Sequence, residues 1–275
     1  MLGSICGDIL GSTYEFGIEN QDIFLLHEND DMTDDSVLTC AVAEWLVEYG
    51  TLSGLGKGEH QYILARKFFD YTMRYPDKAY GLKYMDWILT YEERGTIPEP
   101  PDSLGNGCAM RVSPIAYAYK TLHEVEAYAC LQAEVTHNNP EGIRGACAIA
   151  AATKMALDGR TKNEIKKYIS SKYFYNLNQT IESIRSVKHE FSPTCPVTVP
   201  QALIAFLEGT DYESTILNAI SIGGDCDTVA AMAGGIAYAY YKKIPDSLLT
   251  HCFSCMDKDI KALYHLFCAT YPINI

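Results

Sequence analysis

Two short acidic runs carry the clearest chemistry. Thr33-Asp34-Asp35-Ser36 sets a hydroxyl and two adjacent carboxylates directly before an apolar-periodic segment that begins near Val37. Gly223-Gly224-Asp225-Cys226-Asp227-Thr228 sets two carboxylates, two positions apart, at the mouth of a second such segment. The plainer account of the first run is helix capping, because Thr, Asp and Ser accept hydrogen bonds from free helix N–H groups and complement the helix dipole. Capping accounts for one acid of the second run, but not for two acids entering an apolar helix. Buried carboxylates without partners are costly, so such a pair calls for a cation or for hydrogen-bond donors. Neither run brings the His and Cys set that suits zinc, and Cys226 reads as packing, since thiolate is a poor match for magnesium. Oxygen-only ligation points to Mg2+, Mn2+ or Ca2+. Four aspartates can hold two cations about 3.5–4 Å apart, the spacing at which a bimetal site positions a nucleophile.

Three weaker features accompany these runs. In Gly7-Asp8-Ile9-Leu10-Gly11-Ser12-Thr13-Tyr14-Glu15-Phe16, Asp8 and Glu15 are seven apart and would share one face of a helix, two turns separated; taken alone, they read as ordinary acids on the wet side of an N-terminal helix. Gly105-Asn106-Gly107-Cys108-Ala109-Met110-Arg111 is a glycine loop feeding a helix, where free N–H groups accept anions and glycine lets a pyrophosphate approach the backbone. A plain loop is the simpler account of a bare Gly-x-Gly, and this one is neither a Walker loop nor a dinucleotide fingerprint, because Lys-Ser/Thr is absent and no strand precedes it. Thr136-His137 closes one helix before Pro140 opens the next, and a lone His there is ordinarily a dipole partner.

The elements that position these residues are helices. Val37, Leu38, Ala41, Val42, Trp45, Leu46 and Tyr49 follow helical spacing up to Gly50. Further helices are predicted over 110–120, 122–135, 140–157, 161–171, 178–190, 197–208, 212–221, 227–241, 246–255 and 257–268, and alternating strand-like runs are nearly absent. Segments 140–157 and 227–241 are small or apolar on every face, which places them at the centre of a bundle, with Gly234-Gly235 permitting close packing. Phe16 to Met32 and Tyr91 to Gly107 read as loops able to flank a site. The expectation is an all-α, compact multi-helix bundle forming one domain over residues 1–275.

Composition narrows the partners. With 48% apolar and 21% charged residues the chain has the make-up of an ordinary globular protein rather than a disordered one. A net charge of -13 disfavours nucleic acid, whose binding draws on clustered Lys and Arg. The ten cysteines contain no C-x-x-C pair and read as reduced thiols. Met1 to Phe16 has no basic leader, and no apolar run approaches the roughly 20 residues of a membrane span, so a cytoplasmic location is expected.

Taken together and in order, Gly7 to Phe16, Thr33 to Ser36, Gly105 to Pro114, Thr136 to Pro140 and Gly223 to Ala237 resemble the ADP-ribosylglycohydrolase family, including its dinitrogenase reductase-activating type. The resemblance implies an all-helical hydrolase with two Mg2+ ions, or Mn2+, at the base of a cleft. Thr33, Asp34 and Asp35 would ligate from one side, and Asp225, Asp227 and Thr228 from the other. Gly105, Asn106 and Gly107 would hold the diphosphate, with Met110 and Arg111 fixing that loop, Gly223 and Gly224 bordering the substrate, and His137 donating a hydrogen bond to ADP-ribose. Glu15 would sit by the metals and the scissile bond, with Glu15 or Asp34 as base or proton carrier. Ser36 departs from the family's usual Thr and keeps the hydroxyl. The adenine-stacking aromatic is not located, the candidates being Tyr14, Phe16 and Tyr84.

The expected substrate is an ADP-ribosylated protein or ADP-ribose conjugate, cleaved by water attack at the anomeric carbon of the distal ribose by a monomer. Arginine linkage is favoured over serine or O-acetyl linkage by analogy with the dinitrogenase-reductase type, and an acidic loop from Asp22 to Asp31 would attract a basic target if it borders the cleft. A non-catalytic ADP-ribose-binding relative is the alternative of another class; the intact set of six ligands speaks against it.

Overall fold

A computed structural model describes residues 1–15, 23–50, 54–187 and 191–272. These carry fifteen helices and, among the described residues, no strand: α1 (Leu2–Ser12), α2 (Asp34–Tyr49), α3 (Lys57–Arg74), α4 (Leu82–Arg94), α5 (Gly107–Met110), α6 (Ile115–Ala118), α7 (Leu122–Ala133), α8 (Pro140–Leu157), α9 (Lys162–Tyr173), α10 (Ile181–Arg185), α11 (Cys195–Glu208), α12 (Tyr212–Ser221), α13 (Cys226–Tyr241), α14 (Asp246–Cys255) and α15 (Lys258–Thr270). The all-α class expected from the periodicity is the one observed.

α8 and α13 form the centre. α13 is flanked by α1, α8, α11 and α12, and α8 by α5, α6, α7, α9, α11 and α13. Every α13 residue from Cys226 to Ala239 is buried, which is why its sequence shows no polar face. The tightest crossing is α1 on α13. A Cβ at Gly7 would stand 2.1 Å from the Ala230 carbonyl oxygen, and one at Gly11 would stand 2.6 Å from the Cα of Asp227. Glycine is therefore what lets α1 lie against the first turn of α13, where the acids of the second run begin. α1 also touches α2, and α15 returns to pack on α2, so the N-terminal and C-terminal helices brace the same element.

The structure corrects several expected boundaries. The helix read over 110–120 is two single-turn pieces, α5 and α6, because Pro114 has no N–H to donate and disfavours helical geometry at Ser113. The segment 178–190 keeps only α10, and its end lies outside the described residues. α3 and α4 escaped the periodicity reading. Only Trp87 and Ile88 are buried in α4, too narrow a stripe to stand out. α4 also claims Tyr91 to Arg94 from the expected loop, and Gly95, with φ 65°, stops it.

Candidate metal and substrate site

The first acidic run folds as the N-terminus of α2 because Thr33 adopts extended backbone as N-cap and its Oγ1 accepts from the Asp35 N–H at 3.3 Å. The larger share of the capping falls on Asp8 of α1. Its carboxylate accepts from the Thr33 N–H at 3.0 Å, the Thr33 hydroxyl at 2.6 Å, the Ser36 N–H at 3.1 Å and the Ser36 hydroxyl. Asp8 is fully buried, not on a wet face as a plain N-terminal helix would have it. This is the residue that reading single motifs undervalues: an acid in the first helix caps the second. With the N–H groups satisfied by Asp8 and Thr33, the side chains of Asp34 and Asp35 are released from capping. Asp35 is 1% exposed; one oxygen accepts from Thr228 Oγ1 at 2.9 Å and lies 3.4 Å from Thr33 Oγ1, and the other is buried with no hydrogen-bond partner.

The second run reaches α13 through Gly223 and Gly224, both left-handed at φ 76° and 71°, a conformation that strains any side-chain-bearing residue. Asp225 occupies the N-cap position without capping. Its carboxylate accepts instead from Asn106 Nδ2 at 2.5 Å, and Asn106 Nδ2 also lies 3.2 Å from Thr198 Oγ1. Asp227, 2% exposed, accepts from the Thr228 N–H at 2.8 Å.

The two runs, 190 residues apart in the chain, thus meet through Thr228 and Asp35. Carboxylate oxygens of Asp8, Asp35 and Asp227 lie within 4.8 Å of one another, as do those of Glu15, Asp225 and Asp227. Asp227 is common to both groups, and Asp34 adjoins them. Glu15 lies beyond the end of α1, in a turn rather than on the helix face expected for it. Among the described residues none of these six carboxylates forms an ion pair with Lys, Arg or His.

Burial pushes all six upward, against the hydrogen bonds that hold Asp8 and Asp225, and mutual repulsion adds to it for Glu15, Asp34, Asp35 and Asp227. Desolvation, then the charges of Asp8, Asp227, Asp34 and Asp225, hold Asp35 well above the usual carboxylate range. Desolvation followed by Asp225, Glu15 and Asp8 does the same for Asp227, and desolvation with Asp8, Glu15 and Asp225 for Asp34. Burial, with Asp225 and Asp8, raises Glu15 to about 7. Such a cluster is unfavourable as it stands and becomes favourable around positive charge. The donor set is all hard oxygen, and the partnerless Asp35 oxygen is the open valence a cation would fill; the residues present fit hard divalent ions. Asp8 fits less well than its position suggests, since four donors already occupy its oxygens.

The glycine loop stands beside this cluster, clamped by reciprocal bonds of Asn106 N–H to the Pro193 carbonyl (3.1 Å) and Cys195 N–H to the Leu104 carbonyl (2.9 Å). It feeds only the four-residue α5, not a long helix. Gly105 spends its N–H on Ser103 Oγ at 3.1 Å. Asn106 is committed through backbone and side chain, so it positions Asp225 rather than opening onto the loop. The N–H groups of Gly107 and Cys108, at the start of α5, have no intrahelical acceptor. His137 lies over the loop: a Cβ at Gly105 would stand 3.7 Å from its Nε2, and one at Gly107 would stand 3.8 Å from its Cε1. Met110 is buried, its carbonyl 3.4 Å from Ser4 Oγ. Arg111 is fully buried beneath the loop, stacked 3.9 Å over the Phe68 ring and bonded to Gln132 and Thr136. Burial lowers its guanidinium to about 10, which leaves it cationic at neutral pH.

The remaining candidates are employed elsewhere. Tyr14 gives its hydroxyl proton to the Phe24 carbonyl at 2.7 Å, Tyr84 stacks between Tyr80 and Trp87, and Phe16 lies outside the described residues. In the acidic loop Asp30 is turned inward onto Thr13 Oγ1 (2.7 Å), the His27 N–H (3.0 Å) and His251 Nε2 (2.8 Å), and Asp31 pairs with Lys78; Asp22 lies outside the described residues. Asp30 therefore holds the loop to α14 and offers nothing to a basic target. All ten cysteines are unpaired, and among the described residues no helix is long and apolar enough to cross a membrane.

Comparison with known proteins agrees with this architecture. The family model described as ADP-ribosylglycohydrolase matches residues 1–272. The chain is 25% identical to ADP-ribosylhydrolase ARH3 of Homo sapiens, over 95% of this chain and 90% of that one. It is 25% identical to the ADP-ribosyl-[dinitrogen reductase] glycohydrolase of Rhodospirillum rubrum, over 94% and 91%. A solved structure titled ADP-ribosylglycohydrolase-related protein complex superposes with a TM-score of 0.77 at 22% identity, over 100% of this chain and 97% of that one. The chain belongs to the ADP-ribosylglycohydrolase family and is a hydrolase acting on glycosyl bonds.

Proposed function

We propose that this enzyme removes ADP-ribose from modified protein side chains by water attack at the anomeric carbon of the distal ribose, with two hard divalent cations, Mg2+ or Mn2+, in the carboxylate site. One observation carries the reading: among the described residues an oxygen of Asp35 is buried without any donor, beside five further carboxylates that form no ion pair with a cationic side chain. Thr33, Asp34 and Asp35 would hold the ions from α2, and Asp225, Asp227 and Thr228 from α13. When bound, such ions supply Lewis acidity and a template for the ribose hydroxyls.

The chain's own groups do the rest. Glu15 or Asp34, the two carboxylates of the cluster that stay partly accessible, takes up the proton of the attacking water as the bond from the anomeric carbon to the side chain breaks, and passes that proton to the leaving guanidine. The surrounding negative charge stabilises an oxocarbenium-like transition state. Glu15, raised to about 7 by burial and by Asp225 and Asp8, would be ionised and able to accept once the negative charge of the cluster is compensated. Gly105 and Gly107 admit the diphosphate beneath His137, Asn106 holds Asp225 in place, and the left-handed Gly223-Gly224 turn brings the backbone close to the sugar.

The linkage proposed is arginine, on the likeness to the dinitrogen reductase type. Identity is 25% both to that relative and to human ARH3, so the test is direct. ADP-ribose release is compared on arginine-, serine- and O-acetyl-linked substrates at equal concentration with Mg2+. Fastest release from arginine is expected, and much faster release from serine would overturn the linkage while leaving the carboxylate site intact. We further infer that the chain acts as one domain and as a monomer in the cytoplasm, supported by the return of α15 onto α2 beside α1 and by ten unpaired thiols.

A further inference from the structure

Beneath the glycine loop runs a line of buried side chains whose hydrogen bonds can point only one way. Gln132 Nε2 donates to the Cys108 carbonyl at 2.7 Å, which fixes its amide so that Oε1 accepts from Arg111 Nε at 2.9 Å. Arg111 Nη2 then donates to Thr136 Oγ1 at 2.8 Å, and Thr136 Oγ1 lies 2.9 Å from His137 Nδ1. A guanidinium has donors and no acceptor. Thr136 therefore cannot give its hydroxyl proton to Arg111, and among the described residues Arg111 and His137 are its only partners. Thr136 is 2% exposed, out of reach of solvent. If Nδ1 of His137 carried the proton, the buried Thr136 hydroxyl would face two donors and have nowhere to place its own hydrogen.

We propose that Arg111 and Thr136 are positioning residues that fix His137 as the Nδ1-accepting, Nε2-protonated tautomer, so that the ring presents an N–H to the diphosphate of ADP-ribose in the glycine loop. This rests on the ADP-ribose reading above. The ring's other edge supports it. Nε2 faces Gly105, so the ring's second nitrogen lies against the glycine loop. The thiol of neighbouring Cys108 donates to the Gly142 carbonyl at 3.3 Å and is also within hydrogen-bonding reach of His137, so a diphosphate would compete with that sulfur for the imidazole N–H. The device also gives a role to a fully buried arginine that, among the described residues, forms no ion pair with a carboxylate. An acceptor at its position would take the Thr136 proton, turn Nδ1 into the donor and leave a lone pair on Nε2 to repel phosphate oxygens.

The test is a long-range proton–nitrogen correlation spectrum of the Mg2+-loaded protein, with His137 assigned by its loss in His137→Gln. Protonated Nε2 and unprotonated Nδ1 are expected; protonated Nδ1 overturns the proposal. Thr136→Val should mix the tautomers and weaken ADP-ribose binding and KM about tenfold, with kcat at saturation changed less than about twofold. Thr136→Ser should restore both spectrum and affinity. A Thr136→Val protein with the original tautomer and affinity overturns the proposal. Should that variant not fold, the parent spectrum still decides. Failure of the parent to bind ADP-ribose in calorimetry would refute the ADP-ribose reading separately, since the tautomer is read without ligand.

Discussion

Asp211 and the Asp34–Asp35 pair hold the same kind of position, at the start of a helix, and have opposite electrostatics. Asp211 is exposed at the N-cap of α12, accepts from the Ser214 N–H at 2.7 Å, and is held below the usual carboxylate range first by that backbone bond and then by the Ser214 hydroxyl. Asp34 and Asp35 begin α2, and burial and neighbouring acids push both well above that range. Asp211 stabilises the fold as it stands. The α2 pair burdens it, and Asp8 does the capping they leave undone. A helix start that loads carboxylates beyond what capping needs is arranged for something other than stability.

The comparison breaks most easily by mutation. Asp34→Asn and Asp227→Asn should each lower turnover by at least about a hundredfold, while melting of the metal-free protein holds or rises, because a repelling charge is gone. Retained turnover with a large loss of metal-free stability would return these residues to the capping class. Asp8→Ala should do what those variants do not. It strips acceptors from the Thr33 and Ser36 groups and should cost about 3 kcal/mol of metal-free stability, read by denaturant melts; an unchanged midpoint would deny Asp8 its bracing role.

The pH dependence sharpens the contrast without mutation. Carboxyls whose folded pKa is raised favour the folded state in full below their unfolded values and lose that contribution as pH rises through the folded value. For Glu15 the window runs from 4.5 to about 7, and the buried aspartates shift in the same sense. Metal-free Tm should therefore fall between about pH 5 and 8, and the increment given by Mg2+ should grow over that interval. A Tm that climbs with pH would contradict the uncompensated cluster. Asp211→Ala, the smallest effect, should cost about 1 kcal/mol, or about 2–4 °C, with turnover unchanged.

The central layer and both acidic runs were legible from sequence because apolar periodicity and adjacent acids are local signals. α8 and α13 were placed correctly by being alanine-rich on every face. α3 and α4 were not, since a helix burying one narrow stripe looks much like a polar segment. The role of Asp8 depends on α1 lying beside α2, and that of Asn106 on a carboxylate 119 residues away; neither partnership leaves a mark in local spacing. Pro114 is a local stop signal that the periodicity over 110–120 passes over. Asp30 reads as one more acid of an acidic loop, and only packing reveals that His251 turns it inward.

The central claim is that the cluster around Asp35 and Asp227 is a hard-cation site on which hydrolysis depends. Its most direct test is release of ADP-ribose from an ADP-ribosylated protein by enzyme stripped with EDTA, then resupplied with Mg2+ or Mn2+. Release should cease on stripping and return with either ion; full release by the metal-free enzyme would contradict the account.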